Sequence, residues 1–273
     1  MFNKNYNKMG GDRIMELVTV QTHPFKNLTE ALKDILTDAN IEFSKEGMKL
    51  VTLDPATQTI LVHLKLEAEK FVEYKCEEKI TIGINLGNFY KLIKTIVNND
   101  TLTLYIDRNN KHQLGIRIEN GDKNFLTSYS LNLIEIDEKT IEIDPPEFPS
   151  VVALPSSEFS TVCKNMVGLT ETIEIKSIGS QLIFSCKGDF AEQETIMGET
   201  DKGLQYEHTS SEDNIIQGYY NLQHMMLFAK CTSINGVLKM YLKNSYPLVI
   251  EFKVGDLGTL KLALAPKVAM DQD

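Results

Sequence analysis

The chain has 273 residues, of which 42% are hydrophobic and 24% charged, enough to bury one large core or two ordinary ones. Lys and Arg number 28 against 38 Asp and Glu, and the net charge of −10 argues against a protein that coats nucleic acid indiscriminately. No apolar run reaches the ~18 to 20 residues of a membrane helix, and the polar N-terminus predicts no export. The four cysteines lie far apart, which is typical of reduced, buried thiols in an intracellular protein.

The first half of the sequence predicts two helices among several strands. A polar, Asn- and Lys-rich leader covers 1–14, and Gly10-Gly11 lies within it. Apolar residues that recur every three or four positions predict one helix from Phe25 to Leu36, entered through His23-Pro24, and another over 88–97. The alternating segments predict strands at 17–20, 41–44, 49–53 and 59–66, and a hairpin of 101–106 with 114–119.

The second half repeats this order. Ser157 is the predicted cap of a helix over 157–167, and a further helix carries Leu222, Met225 and Ala229. Hairpins are predicted for 172–178 with 182–185 and for 237–242 with 247–254. The repeated order indicates a duplicated unit, so the predicted fold class is α+β: two similar domains, each with antiparallel sheet and two helices.

An acidic, strand-like segment at 131–149 separates the halves and ends after Pro145-Pro146. Its isoleucines at 136, 141 and 143 fit either a strand followed by a linker or a connector that offers apolar side chains to a partner. The polar segment 199–213 is predicted to be a surface loop. The predicted boundaries are a leader at 1–14, an N-terminal domain at 15–130, a connector at 131–149, a C-terminal domain at 150–268 and a tail at 269–273.

The sequence offers little that could carry catalysis. It has no phosphate loop, no dinucleotide-binding turn, no nucleophile elbow and no metal-ligand spacing among its histidines and cysteines. Cys163 beside Lys164 could be a nucleophile, but its position on an apolar stripe favours a core thiol. We therefore predict no catalytic residue, no metal and no cofactor.

Lysines occupy the polar side of every predicted helix. Each one alone is typical of an ordinary solvated surface, and only the repetition over four helices indicates a basic surface in an acidic protein. These lysines are Lys26, Lys33, Lys91, Lys94, Lys164 and Lys230.

Several motifs, in order along the chain, resemble one known family. They are EALKD at 30–34, FVEYKC at 71–76, GINL at 83–86, LPSSEF at 154–159, PLVIEFK at 247–253, DLGTLK at 256–261 and LAPK at 264–267. Together they resemble the eukaryotic-type sliding clamp family, proliferating cell nuclear antigen, from Met15 to Val268.

The resemblance implies a ring of three subunits and six similar domains that encircles duplex DNA and tethers replication and repair proteins. Implied partners are double-stranded DNA without sequence preference, DNA polymerase, other proteins with a clamp-binding motif, a clamp loader and two further copies of the chain, with no membrane. The implied compartment is the nucleus, or a viral replication compartment for a viral member. No enzymatic activity is expected.

The resemblance also implies roles for particular residues. The six helix lysines match the family's DNA-facing positions. The implied partner-binding pocket comprises Leu53, Leu61, Ile141, Ile143, Pro247, Ala263, Ala265 and Pro266. For ring closure we predict that a sheet edge around 113–119 pairs with one around 182–187, which makes Gln113, Ile116, Ile118, Leu182 and Phe184 the predicted subunit interface.

The chain departs from the family at several of these sites. Asn27, Thr161 and Gln223 stand where basic residues are usual, and Ala263 stands where an aromatic residue is common. The loop after Leu53 is one residue longer, and the lysine that the family modifies falls near 178–179, where this chain has none and only Lys176 is nearby. The leader is also extra. These departures predict a divergent member of the family, such as a viral one.

Two other functions stay open from the sequence alone. The reduced number of basic residues would also fit a polymerase processivity factor that binds DNA without closing a ring. The abundant acids and Cys163 would be the only support for an unrecognised nuclease or hydrolase.

Overall fold

The computed structural model describes residues 12–137, 141, 146–208 and 215–267. The chain divides into two compact units. Unit 1 comprises Met1–Thr52, His63–Thr140 and Val254–Thr259, and unit 2 comprises Leu53–Val62, Ile141–Lys253 and Leu260–Asp273. The predicted tail and most of the predicted leader lie outside the described residues. Among the described helices, none is long and apolar enough to cross a membrane.

The described part of the first half contains both predicted helices. They are α1 (Thr22–Ile35) and α2 (Leu86–Ile93), and a one-turn 3-10 helix covers Ala68–Lys70. The strands are β1 (Arg13–Thr19), β2 (Asp38–Ser44), β3 (Gly47–Leu53), β4 (Ile60–Glu67), β5 (Glu73–Cys76), β6 (Ile80–Asn85), β7 (Asp100–Asp107), β8 (Asn110–Asn120) and β9 (Phe125–Asn132).

Unit 1 is built on antiparallel sheet. Strands β5, β1, β7, β8 and β9 form a five-stranded sheet in that order, and β2 pairs with β3 on one side and β6 on the other. The two helices pack through Phe25 and Phe89, whose ring centroids lie 6.4 Å apart edge to face. Gly115 of β8 leaves room for the ring of Tyr105, because a Cβ at this position would lie 2.2 Å from Tyr105 Cζ.

The described part of the second half repeats the pattern. Its helices are α3 (Ser156–Met166) and α4 (Leu222–Lys230), and a 3-10 turn covers Cys231–Ser233. The strands are β10 (Ser150–Pro155), β11 (Thr172–Ile178), β12 (Gln181–Lys187), β13 (Glu192–Gly198), β14 (Gln205–His208), β15 (Ile216–Asn221), β16 (Val237–Leu242), β17 (Leu248–Val254) and β18 (Gly258–Leu264).

Unit 2 is also built on antiparallel sheet with two helices, so the predicted fold class is confirmed. Strands β13, β12, β11 and β15 form a four-stranded sheet in that order, while β14, β10, β16, β17 and β18 lie side by side in another. The predicted helix stripes form the core. Phe159, Cys163 and Met166 of α3, like Leu222 and Met225 of α4, have no exposed surface.

The strands that we predicted to form the subunit interface are not sheet edges. β8, which carries Gln113, Ile116 and Ile118, is paired with β7 on one side and β9 on the other. β12, which carries Leu182 and Phe184, lies between β11 and β13. The four apolar residues are at most 6% exposed, because their alternating pattern serves the core. The sheet edges next to these strands are β9 and β13.

Two local predictions are also wrong. Ser157 does not cap α3, because the helix begins at Ser156 after Pro155 and no side chain caps it. The segment 199–213 is not entirely loop, since β14 lies within it and pairs with β10. Residues 209–214 lie outside the described part of the chain.

Candidate functional site

Each of the four helices of the described chain carries a lysine in its last turn. These are Lys33 in α1, Lys91 in α2, Lys164 in α3 and Lys230 in α4. A cation at this position interacts favourably with the negative end of the helix dipole. The repeated placement gives both units a basic helix end, although the chain as a whole carries −10.

The two lysines of α1 are engaged within unit 1. Lys26 Nζ donates a hydrogen bond to the backbone carbonyl of Ile96, 2.9 Å away in the turn that follows α2. Lys33 Nζ pairs with the Asp34 carboxylate at 2.7 Å and lies 5.1 Å from the centre of the Tyr90 ring. Both amines therefore hold α1 against its surroundings, and they are only partly exposed.

Tyr90 of α2 also contacts a carboxylate of α1. Its hydroxyl donates to Glu30, and this hydrogen bond together with partial burial raises the pKa of Tyr90 to about 12. Glu30 and Asp34 therefore flank Lys33 and offset its charge.

Lys91, Lys94, Lys164 and Lys230 are more exposed than the α1 lysines. Lys91 Nζ donates to Asn88 Oδ1 at 3.2 Å, and Lys94 caps the C-terminus of α2. Thr161 and Gln223, which stand at family basic positions, are also exposed. Asn27 is only 9% exposed, so the third of these positions is nearly buried.

The predicted partner pocket lies within unit 2 as far as the structure describes it. Leu61, Pro247, Ala263, Ala265 and Pro266 are all partly exposed, and Leu53 is 39% exposed. Ile141 is partly exposed as well, while Ile143 lies outside the described residues.

A compact turn shapes the loop that joins Leu53 to Leu61. The Asp54 carboxylate accepts hydrogen bonds from the backbone N–H groups of Ala56 and Thr57 and from the Thr57 hydroxyl, the last at 2.6 Å. Burial opposes ionisation of Asp54, but these donors stabilise the carboxylate, and its pKa lies below the usual value. Gln58 completes the turn with a positive φ of 55°.

The C-terminal segment of the described chain is fastened to this loop. Ala265 N–H donates to the Thr59 carbonyl at 2.9 Å, and Lys267 N–H donates to the Tyr219 carbonyl at 2.7 Å. Lys267 Nζ also donates to Thr172 Oγ1 at 2.8 Å. The first of these bonds places Ala265 beside the loop, and the bonds of Lys267 hold the end of the segment on β15 and β11.

His224 of α4 supports the same loop. Its Nδ1 lies 3.1 Å from Thr59 Oγ1, within hydrogen-bonding distance. Burial lowers the pKa of His224, as does the Lys267 ammonium, while the Asp54 carboxylate opposes the shift. The histidine is therefore favoured in its neutral form.

The sequence analysis missed an aromatic cluster next to Pro247. Phe148, at the end of the connector, packs on Tyr241 and Tyr246 with ring centroids 5.3 and 5.7 Å away. Tyr241 donates to Glu251 at 3.0 Å. The cluster holds the end of the connector on unit 2. In the sequence, Tyr246 beside Pro247 could have indicated that an aromatic contact lies here.

The described residues hold no group of three His, Cys, Asp or Glu side chains that could bind a metal ion. Cys163 is fully buried, and burial raises the pKa of its thiol to about 12. The thiol is therefore protonated at neutral pH, which confirms its assignment to the core.

The fold and these surfaces together define a duplicated α+β scaffold with basic helix ends, a class to which clamp subunits belong. The N-terminal domain model of proliferating cell nuclear antigen matches residues 14–141, and the C-terminal domain model matches residues 142–267. The chain belongs to the proliferating cell nuclear antigen family.

Individual relatives agree with this assignment. The chain is 34% identical over 263 residues to the probable DNA polymerase sliding clamp 1 of Paramecium bursaria Chlorella virus 1, covering 94% of this chain and 99% of the relative. It is 26% identical to the proliferating cell nuclear antigen of Chaetomium thermophilum, and the match covers 95% of this chain and 100% of that relative. The crystal structure of the Entamoeba histolytica antigen matches with a TM-score of 0.85 at 26% identity, covering 94% of this chain and 100% of that one.

Proposed function

We propose that three copies of this chain close into a ring around duplex DNA and serve as a DNA sliding clamp. The observation that carries the proposal is that both halves of the chain match the family's two domains, with no gap between 14–141 and 142–267. The match to the relative named a sliding clamp likewise extends over both halves. Proteins of this family are scaffolds without enzymatic activity.

The ring would hold DNA by enclosure and by weak contacts from the helix ends. Lys91, Lys94, Lys164 and Lys230 are exposed, and amines that meet phosphates carry no sequence information. Lys26 and Lys33 would contribute less, because they are only partly exposed and their amines bond to Ile96 and Asp34. A ring of this kind slides, because few phosphate contacts have to be exchanged at each step.

Ring closure would join two open sheet edges, β9 of one copy and β13 of the next. An exposed edge strand carries unpaired backbone groups and is a template for pairing with another chain. Both edges also expose apolar side chains: Phe125 is 59% exposed, Leu126 37% and Ile196 55%. A head-to-tail contact between different edges generates a closed ring when the rotation between copies allows it.

The surface around Leu61, Pro247 and Ala265 would capture DNA polymerase and other proteins that carry a clamp-binding motif. Its support is that the loop after Leu53 is joined to the C-terminal segment by the backbone hydrogen bond from Ala265 N–H to the Thr59 carbonyl. Preorganised walls of this kind reduce the entropy lost on binding. A clamp loader would open the ring, and the site of action would be the nucleus or a viral replication compartment.

Loading onto nicked circular DNA, followed by linearisation, tests the proposal. A ring held by topology should remain on the circle in moderate salt and slide off the ends once the DNA is cut. A processivity factor that does not close would be retained equally on circular and linear DNA. Metal-dependent cleavage of the DNA, lost when a single carboxylate is replaced, would support the nuclease alternative instead.

A further inference from the structure

Unit 1 contains an open groove of about 420 Å³, and its lining includes neither the helix lysines nor the residues of the predicted partner pocket. Side chains of Ile14, Ile80, Ile82 and Ile106 line it, and Lys111 and Glu135 lie at its rim. Ile14, Ile82 and Ile106 are at most 4% exposed, and polar side chains such as Glu78, Lys79 and Thr81 share the lining. A groove of this size beside a sheet edge has room for a side chain from another chain.

The groove continues directly from the end of β9. That strand ends at Asn132, and residues 133–135 form one wall of the groove. Ile134, in this wall, donates its N–H to the Gly83 carbonyl at 2.9 Å and is 38% exposed. Whatever pairs with β9 along its length therefore approaches the groove at the C-terminal end of the strand.

Unit 2 carries an exposed aromatic side chain at the tip of the hairpin between β12 and β13. Phe190 is 78% exposed, more than any other large apolar side chain in the described ranges. The hairpin is closed by a bond from Gly188 N–H to the Ala191 carbonyl at 2.9 Å. The backbone at its base packs closely on Leu169, because a Cβ at Gly188 would lie 2.1 Å from the Leu169 carbonyl oxygen.

We propose that Phe190 of one copy fills the groove of the next copy. This inference rests on the ring closure proposed above. The sheets that end at β9 and β13 are antiparallel throughout, and antiparallel pairs outnumber parallel ones about two- to three-fold. An antiparallel junction brings the start of β13 to the end of β9, and Phe190 lies two residues before that start. The phenyl ring then reaches the groove wall at 133–135.

Charged residues surround both features. Asp189, which precedes Phe190, is exposed, and the groove lining includes Lys79, Lys111 and His112 together with Glu78 and Glu135. Lys111 Nζ lies 3.5 Å from Glu78, a loose pair that a second carboxylate can rearrange. A buried aromatic anchor with charged residues around it has the composition of an interface hot spot.

The chain contains no tryptophan, so Phe190→Trp introduces a single reporter. We expect its emission to shift to the blue, and its quenching by iodide to fall, over the same concentration range in which sedimentation shows assembly. Val237→Trp is the matched control, since Val237 is 52% exposed and lies on neither β9 nor β13, and its emission should not change on assembly.

A second variant changes the wall of the groove instead of the side chain proposed to enter it. In the Phe190→Trp background, Ile134→Glu should raise the concentration needed for assembly at least about tenfold, because it places a charge against the incoming ring. Assembly in which the introduced indole stays exposed to iodide would overturn the inference and leave the ring intact. Blue-shifted emission already in the monomer would overturn it too, because the indole would then pack on its own copy. A chain that stays monomeric at every concentration would overturn both proposals.

Discussion

Replacing Lys26 should lower the stability of unit 1 more than it lowers the binding of DNA. Its amine donates to the Ile96 carbonyl at 2.9 Å, and Ile96 itself is 2% exposed. Hydrogen bonds to charged groups contribute roughly 1.5 to 3 kcal/mol, and partial exposure of Lys26 reduces this to about 1 kcal/mol. Lys26→Met keeps the aliphatic stem and removes the donor. For a chain of this size the loss corresponds to a melting temperature lower by about 2 to 4 °C.

The matched control is Lys94→Met, which removes an exposed amine from the end of α2. Its effect on unfolding should stay within about 0.5 kcal/mol, while retention on DNA at low salt should fall. Both variants are compared by thermal unfolding at one protein concentration, because assembly also stabilises the fold. If Lys26→Met melts like the parent protein and loses DNA retention as Lys94→Met does, the amine serves DNA and the structural role is refuted.

Four further predictions test the remaining surfaces. Lys91→Glu with Lys94→Glu should reduce DNA-dependent stimulation of a polymerase, most steeply at low salt, whereas Lys70→Glu, in the exposed 3-10 turn, should not. Ile196→Glu should make assembly at least about tenfold weaker in sedimentation and leave the fold intact, and Val237→Glu should leave both unchanged. Ile141→Ala with Ile143→Ala should weaken a clamp-binding peptide at least about tenfold in calorimetry, and Ala263→Tyr should strengthen it; equal affinities would refute the pocket. Because the pKa of His224 is lowered, its contribution to stability is fully present above its usual value of 6.5 and is lost as the pH falls from there through the lower folded pKa. His224→Gln should therefore flatten the decline in melting temperature within that interval.

The sequence predicted the helices and the buried strands because burial leaves a regular pattern. In α3 the stripe of Phe159, Cys163 and Met166 is fully buried, as its spacing requires. The strand with Leu114, Ile116 and Ile118 was predicted for the same reason. That alternation reports a face packed on the core, and it says nothing of whether the strand has a neighbour on each side.

The open edges were missed for the converse reason. β13 reads EQETIMG, and its residues alternate between exposed and partly exposed, so no buried face marks it as a strand. β9 exposes Phe125 and Leu126 in succession, which breaks the period of two. If β9 and β13 pair between copies as proposed, each strand is only half packed in one copy and lacks the pattern of a buried strand. The most apolar strands, which we predicted to form the interface, belong to the core instead.

The functional role of a lysine depends on contacts that its position along a helix cannot reveal. From the spacing alone, Lys26 and Lys91 are equivalent residues on polar helix faces. In the structure the Lys26 amine is partly buried on a carbonyl 70 residues away in the chain. The Lys91 amine donates to Asn88 on its own helix and stays exposed. The number of amines that can meet phosphates is therefore smaller than the number of matching positions. Because the slope of affinity with salt follows that number, the clamp should show a shallow salt dependence before loading. Once the ring is closed, the same small number favours sliding, since enclosure retains the DNA without a strong grip.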